Sequence, residues 1–195
     1  MAAARELVIA DEPGAWERLG FAPDAGGALA LAELRVRLAG RAAGTGLVEL
    51  RVAGLAAERP DGLPVIAAAG ASVGTAAATH PNGATAIDHA VVLTDDCDRT
   101  TAALAAAGGD VRRRGGPPEL PATMAFVRFG ELLVEVAETG GPARFWGLTI
   151  AVPDLDAFAG PLVRSPRPAV QPGRWIATVK REAGLSIALA LISPR

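Results

Sequence analysis

Two residues could do coordination chemistry together: His89, in the run Ile87-Asp88-His89-Ala90-Val91, and Glu135, in Glu131-Leu132-Leu133-Val134-Glu135. Both runs suit strands. Alternation puts Ile87, His89, Val91 and Leu93 on one strand face, and Glu131, Leu133, Glu135 and Ala137 on one face of another. If both faces line one cleft, an imidazole and a carboxylate converge on a hard or borderline divalent ion. An ion held there with a coordination position left open acts as a Lewis acid. A catalytic site normally takes about three protein ligands, so a pair would hold its ion weakly or not at all. The competing reading of His89 is a half-buried histidine hydrogen-bonded within a sheet, and of Glu135 a carboxylate paired with Arg128 or Arg144.

Other chemistry has little to work with. No glycine-rich phosphate loop, Cys/His zinc spacing or Ser-His-Asp arrangement is present, and His80 and His89 are the only histidines. Cys97 sits in the acidic turn Asp95-Asp96-Cys97-Asp98, where a thiolate is disfavoured. No catalytic residue is assigned. Trp146 and Trp175 offer flat apolar faces with a polar tip, suited to core packing or to the wall of a ligand cleft. With Arg128 and Arg144 they make up the candidate ligand-binding set.

The elements that would position these residues form one βαβββ unit over 86–137. A β-branched strand over 87–94 leads to Asp95, Asp96 and Asp98, which can cap a helix over 99–107 and suit its positive end. Gly108-Gly109 stops that helix. Strands follow over 110–114, 123–129 and 131–137, the last two meeting at Gly130. In the strand Ile87-Asp88-His89-Ala90-Val91, the turn Thr94-Asp95-Asp96-Cys97-Asp98 and the closing Gly130-Glu131-Leu132-Leu133-Val134-Glu135, this segment resembles a module of the vicinal oxygen chelate superfamily. That is the glyoxalase, bleomycin-resistance and extradiol-dioxygenase group, and the likeness is greatest to its glyoxalase-like branch. The resemblance implies an α+β fold of paired βαβββ modules around a curved-sheet cleft. It also implies a metal-binding His on the first strand and a metal-binding Glu on the last, positions held here by His89 and Glu135.

The unit repeats. Phe145-Trp146-Gly147-Leu148-Thr149-Ile150 aligns with Ile87 to Val92, Asp154 and Asp156 prime a helix over 157–163, and strands over 175–181 and 185–192 mirror the hairpin at Gly130. In this register Gly147 stands where the second His would be and Leu189 where the second Glu would be. Residues 5–58 read as a degenerate N-terminal βαβββ module: strand 6–11, helix 12–20, strand 28–38, and Gly46-Leu47-Val48-Glu49-Leu50 echoing the strand that carries Glu135. Residues 59–83 are rich in Ala, Gly and Pro and read as an exposed linker that includes His80. Residues 84–195 form the glyoxalase-like domain, with modules 86–137 and 146–192. A module leaves its concave face bare unless a second copy packs beside it. The odd N-terminal copy must therefore pair through a partner chain or lie against the outside of the domain, and its apolar face predicts a homodimer.

Composition narrows the function classes. The chain is 50% hydrophobic over 195 residues, enough for a sizeable core, and its net charge of -2 gives no basic face for nucleic acid. Arg112-Arg113-Arg114 reads as a solvated strand end. The N-terminus lacks the pattern of a signal peptide, no run reaches the roughly 18 apolar residues of a membrane span, and one cysteine excludes an internal disulfide. The expectation is a cytoplasmic protein that takes a small molecule, without membrane or nucleic-acid partners. Two functions fit the resemblance: a lyase, isomerase or dioxygenase using Zn, Mn, Fe or Ni on a small oxygenated metabolite, or a metal-free binding protein of the antibiotic-sequestering kind.

Overall fold

A computed structural model describes residues 1–69, 79–115, 123–158 and 160–194. The N-terminal part comprises β1 (Ala3–Ile9), a one-turn helix α1 (Pro13–Glu17), β2 (Ala28–Leu31), β3 (Leu34–Leu38), β4 (Leu47–Ala53) and β5 (Val65–Ala67). There follow β6 (Ala86–Thr94), helix α2 (Cys97–Ala106), β7 (Asp110–Arg114), β8 (Met124–Phe129) and β9 (Leu132–Glu138). The chain then runs through β10 (Arg144–Ala151), β11 (Arg167–Pro168), β12 (Trp175–Thr178) and β13 (Ala188–Ile192).

The unit at 86–137 forms as its residues predict. Asp96 is the cap of α2, its side chain accepting from the Arg99 amide at 2.8 Å, and the helix starts two residues before the expected position. β6 lies parallel to β9, with β8 and β7 added antiparallel beyond it. The second module repeats this order, β10 parallel to β13 and then β12 and β11. Antiparallel pairing of β6 with β10 joins the two into one eight-stranded sheet, β11-β12-β13-β10-β6-β9-β8-β7. His89 stands opposite Thr149, and Val91 opposite Gly147. That register maps onto itself when 89 is exchanged with 147 and 91 with 149, so the modules are related by a pseudo-twofold axis at the Ala90/Leu148 pair.

Two departures in the second module have local causes. The helix expected over 157–163 is only a 3-10 turn, Asp156–Phe158. Asp154 does cap it, accepting from the amides of Asp156 and Ala157, but Pro161 lacks an N–H and bars helical backbone in the residue before it. β11 is two residues long, in a stretch where Pro166, Pro168 and Pro172 remove ladder donors.

The N-terminal part differs more from expectation. It is not one βαβββ module. β1 is parallel to β3 and antiparallel to β4, and β4 is parallel to β5, giving the order β2-β3-β1-β4-β5. The strand that echoes β9 is therefore the opening strand of a second shortened half, and β1/β4 reproduces the central β6/β10 pairing. Alternation specifies which face a strand buries, not which direction its neighbour runs. The single strand expected over 28–38 is the β2/β3 hairpin, turning at Ala32, whose φ is +52°. A two-residue turn leaves the alternation unbroken, so the sequence hides it.

The expected linker over 59–83 is in part structural. Leu63 and Val65 are fully buried, with β5 inside this range, and His80 is 2% exposed rather than solvent-facing. Its Nδ1 accepts from the Ala22 amide at 3.1 Å, its Nε2 lies 3.1 Å from the Ala30 carbonyl, and its ring meets Phe21 edge-on. Residues 70–78 of that range lie outside the described residues.

The N-terminal unit covers the outer face of the large sheet. Leu7, Ile9 and Trp16 join one core with Ala90, Val92, Leu148, Leu189 and Leu191. Asp11 ties the units together, accepting from the Trp16 indole at 3.1 Å and from the Ser186 amide at 2.7 Å. Arg18 donates to the Ala183 carbonyl at 3.1 Å and Arg41 to that of Gly184. The unit thus closes the surface that the missing helix of the second module leaves bare. Its opposite face is charged, with Glu6 reaching Arg35, Arg37 and Arg51. The apolar face expected to drive homodimerisation is consequently spent within the chain, and that ground for a dimer falls away. No helix among the described residues is long and apolar enough to cross a membrane.

Candidate functional site

His89 shares the cleft face with Val91 by strand alternation, and a bulge in β6 decides what stands beside it. Thr149 pairs with His89 and Ile150 with Ile87, so Asp88 is an extra residue on its strand. The bulge lets neighbours that would point to opposite faces meet, and His89 Nδ1 donates to Asp88 Oδ2 at 2.9 Å. Asp88 Oδ1 lies 2.7 Å from Arg174 Nη1, whose Nε and Nη2 both donate to the Ser193 carbonyl. Burial alone would raise the Asp88 carboxyl. Hydrogen bonds from His89 and Arg174 outweigh it and hold the pKa at about 2.

With Nδ1 committed to Asp88, His89 turns Nε2 toward the cleft. Thr149 Oγ1 lies 3.0 Å from it and Glu135 Oε2 3.8 Å. Glu135 is the residue beside Val91 on β9, and it faces the same way. Burial pushes its carboxyl above the usual range, with the His89 ring opposing this and the Asp88 charge adding to it. These groups form the polar corner of a cavity of about 290 Å³ whose other walls include Val91, Phe126, Trp146, Val170 and Ile176.

The sequence-predicted residues separate as follows. His89, Glu135 and Trp146 line this cavity, Trp146 being 52% exposed at its mouth. Arg128 lines a second cavity, on the far side of Asp88. Trp175, 50% exposed, and Arg144, which donates to the Pro142 carbonyl, lie outside the residues lining either. Neither arginine is within ion-pair reach of Glu135. Sequence reasoning missed Asp88, Thr149 and Arg174. A signal existed for Asp88, since an acid inside an apolar strand needs a buried partner. Cys97 is buried, and burial raises its thiol pKa, as expected of an inert cysteine.

The donor set does not fit a complete metal centre. His89 Nε2 and Glu135 supply two ligands, and no group of three His, Cys, Asp or Glu among the described residues could hold an ion. Pseudo-symmetry explains the shortfall. Gly147 is the counterpart of His89, and a Cβ there would lie 3.1 Å from the Ala188 carbonyl oxygen. The counterpart of Glu135 is Ala190, not Leu189: Glu135 pairs with Val91, and Ala190 pairs with Thr149, the counterpart of Val91.

No family model and no curated protein matches the sequence. Solved structures do. Methylmalonyl-CoA epimerase from Mycobacterium tuberculosis is 14% identical, with a TM-score of 0.48 over 58% of this chain and 91% of that one. A hypothetical protein from Bacillus halodurans C-125 is 14% identical, with a TM-score of 0.46 over 56% and 94%. A variant of Streptomyces coelicolor methylmalonyl-CoA epimerase, in complex with 2-nitronate-propionyl-CoA, is 19% identical, with a TM-score of 0.46 over 56% and 94%. By its own strand order, two βαβββ-type modules paired through β6 and β10 around one cleft, the chain has the vicinal oxygen chelate fold.

Proposed function

We propose that the cleft binds a small, mostly apolar molecule by one oxygen-bearing end, without a resident metal ion. One observation carries this reading: the cavity walls are mostly apolar, with Arg167, Gln171 and Thr178 also on the lining, and His89 Nε2, Thr149 Oγ1 and Glu135 converge at one corner. Such a pocket takes its affinity from the walls and its orientation from the few polar groups. Asp88 accepts from Nδ1, so Nε2 is the nitrogen that faces the cleft, and a ligand hydroxyl can replace the Thr149 hydroxyl there. Glu135, its proton held more tightly by burial, donates to a carbonyl or carboxylate oxygen at acidic pH. A panel of small alcohols, ketones and carboxylic acids should quench tryptophan fluorescence saturably through Trp146. Failure of every member of the panel, or quenching that survives Trp146→Phe, would count against the reading.

A second reading is a metal-dependent lyase, isomerase or dioxygenase. It is favoured by the Asp88 carboxylate on His89 Nδ1, an arrangement that orients metal-binding imidazoles in many sites. Stoichiometric Zn, Mn, Fe or Ni in protein purified without chelator, lost in His89→Ala and Glu135→Gln, would establish it over the first.

A further inference from the structure

Beyond the apolar cavity, the Asp88 to Arg174 pair walls off a second space of about 310 Å³, bordered also by Arg128, Glu131 and the chain at Ala86, Ala151 and Pro194. Three of its four charged groups are accounted for or harmless. Arg174, 6% exposed, spends its donors on Asp88 and the Ser193 carbonyl, and both Asp88 oxygens are engaged. Glu131 is exposed to solvent. Arg128 differs in one respect: like Arg35 Nε and Arg174 Nη1, its Nε is buried with no hydrogen-bond partner, but Arg35 and Arg174 are ion-paired, whereas Arg128 makes no ion pair among the described residues. Its cross-strand neighbour Asp110 is held by Arg112 at 2.8 Å instead. A buried guanidinium N–H without an acceptor is costly, and Arg128 brings to the wall of this cavity a charge with no ion-pair partner among the described residues.

We infer that this cavity is an anion subsite, with Arg128 as the counter-ion for a carboxylate or phosphate group. The planar fork of a guanidinium matches the paired oxygens of either anion, and the committed Asp88 neither competes for Arg128 nor leaves Arg174 free to move. The subsite shares no lining residue with the apolar cavity, Asp88 standing between it and His89.

NMR of the full chain tests this with inorganic phosphate and with acetate as probes, at matched ionic strength in chloride. The expected result is a saturable shift of the Arg128 Nε–H resonance, with the His80 ring, buried in the N-terminal unit, unmoved. Response to phosphate alone or acetate alone identifies which anion the site prefers. Arg128→Gln should weaken binding on the order of tenfold or more, while Glu131→Gln, which removes an exposed negative charge from the rim, should strengthen it. No saturable shift, or an unchanged affinity in Arg128→Gln protein, read there on the Arg174 Nε–H resonance with the other resonances showing it folded, would overturn the inference. Should Arg128→Gln not fold, weaker or equal binding in Glu131→Gln would do the same.

Discussion

Arg174 and Asp88 form an ion pair at 2.7 Å in which both side chains are more than nine-tenths buried, linking the loop before β12 to the bulge of β6. Breaking such a pair leaves one charge without a partner in a poorly solvated place, and costs about 3–5 kcal/mol. Asp88→Asn and Arg174→Ala should each lose stability of that order in denaturant unfolding. The double substitution should lose clearly less than the two together, as coupled residues do. Additive losses would mean that the pair contributes nothing as a pair.

Acid stability should carry the signature of Asp88. Its folded-state pKa of about 2 lies below the ordinary 3.8, so its contribution is present above pH 4 and disappears as pH falls toward 2. By linkage this amounts to about 2 kcal/mol. Unfolding free energies between pH 2 and 5 should show this slope in the parent protein and a shallower one in Asp88→Asn.

Glu135 should act in the opposite sense. Its folded-state pKa is raised above 4.5, so the folded protein holds the proton more tightly and loses stability as pH rises from 4.5 through the raised value. Glu135→Gln should flatten that decline, and a parent protein whose stability is level across the range would contradict the burial argument.

The N-terminal unit should be indispensable. Leu63 is fully buried beside β5, and Leu63→Ala should cost about 2–5 kcal/mol in urea or guanidinium unfolding. A chain starting at Asn82 exposes Leu148, Leu189 and Leu191 and should lose cooperative thermal unfolding, read by circular dichroism or calorimetry. A sharp transition in that shortened chain would show that the large sheet needs no cover.

Metal content offers a check on the cleft itself. A two-donor site should leave purified protein substoichiometric in Zn, Mn, Fe and Ni by elemental analysis, with any residual signal lost in His89→Ala.

The modules at 86–137 and 146–192 were legible in outline from their residues, because strand alternation, the Asp96 cap and the Gly130 turn are local signals that agree with the fold. The sequence also placed His89 and Glu135 on strand faces that do converge, and Gly147 opposite the axis from His89. The rest depended on contacts between residues far apart in the chain. A bulge, visible in no periodicity, turned Asp88 toward His89, and a loop far along the chain supplied Arg174. The direction of β4 was hidden because parallel and antiparallel neighbours bury the same alternating residues, and β5 was hidden in Ala-rich composition that resembles a linker. The buried fate of the N-terminal apolar face was set by the outer surface of the large sheet, with which its side chains share one core. Local chemistry set the elements, and long-range packing chose their partners.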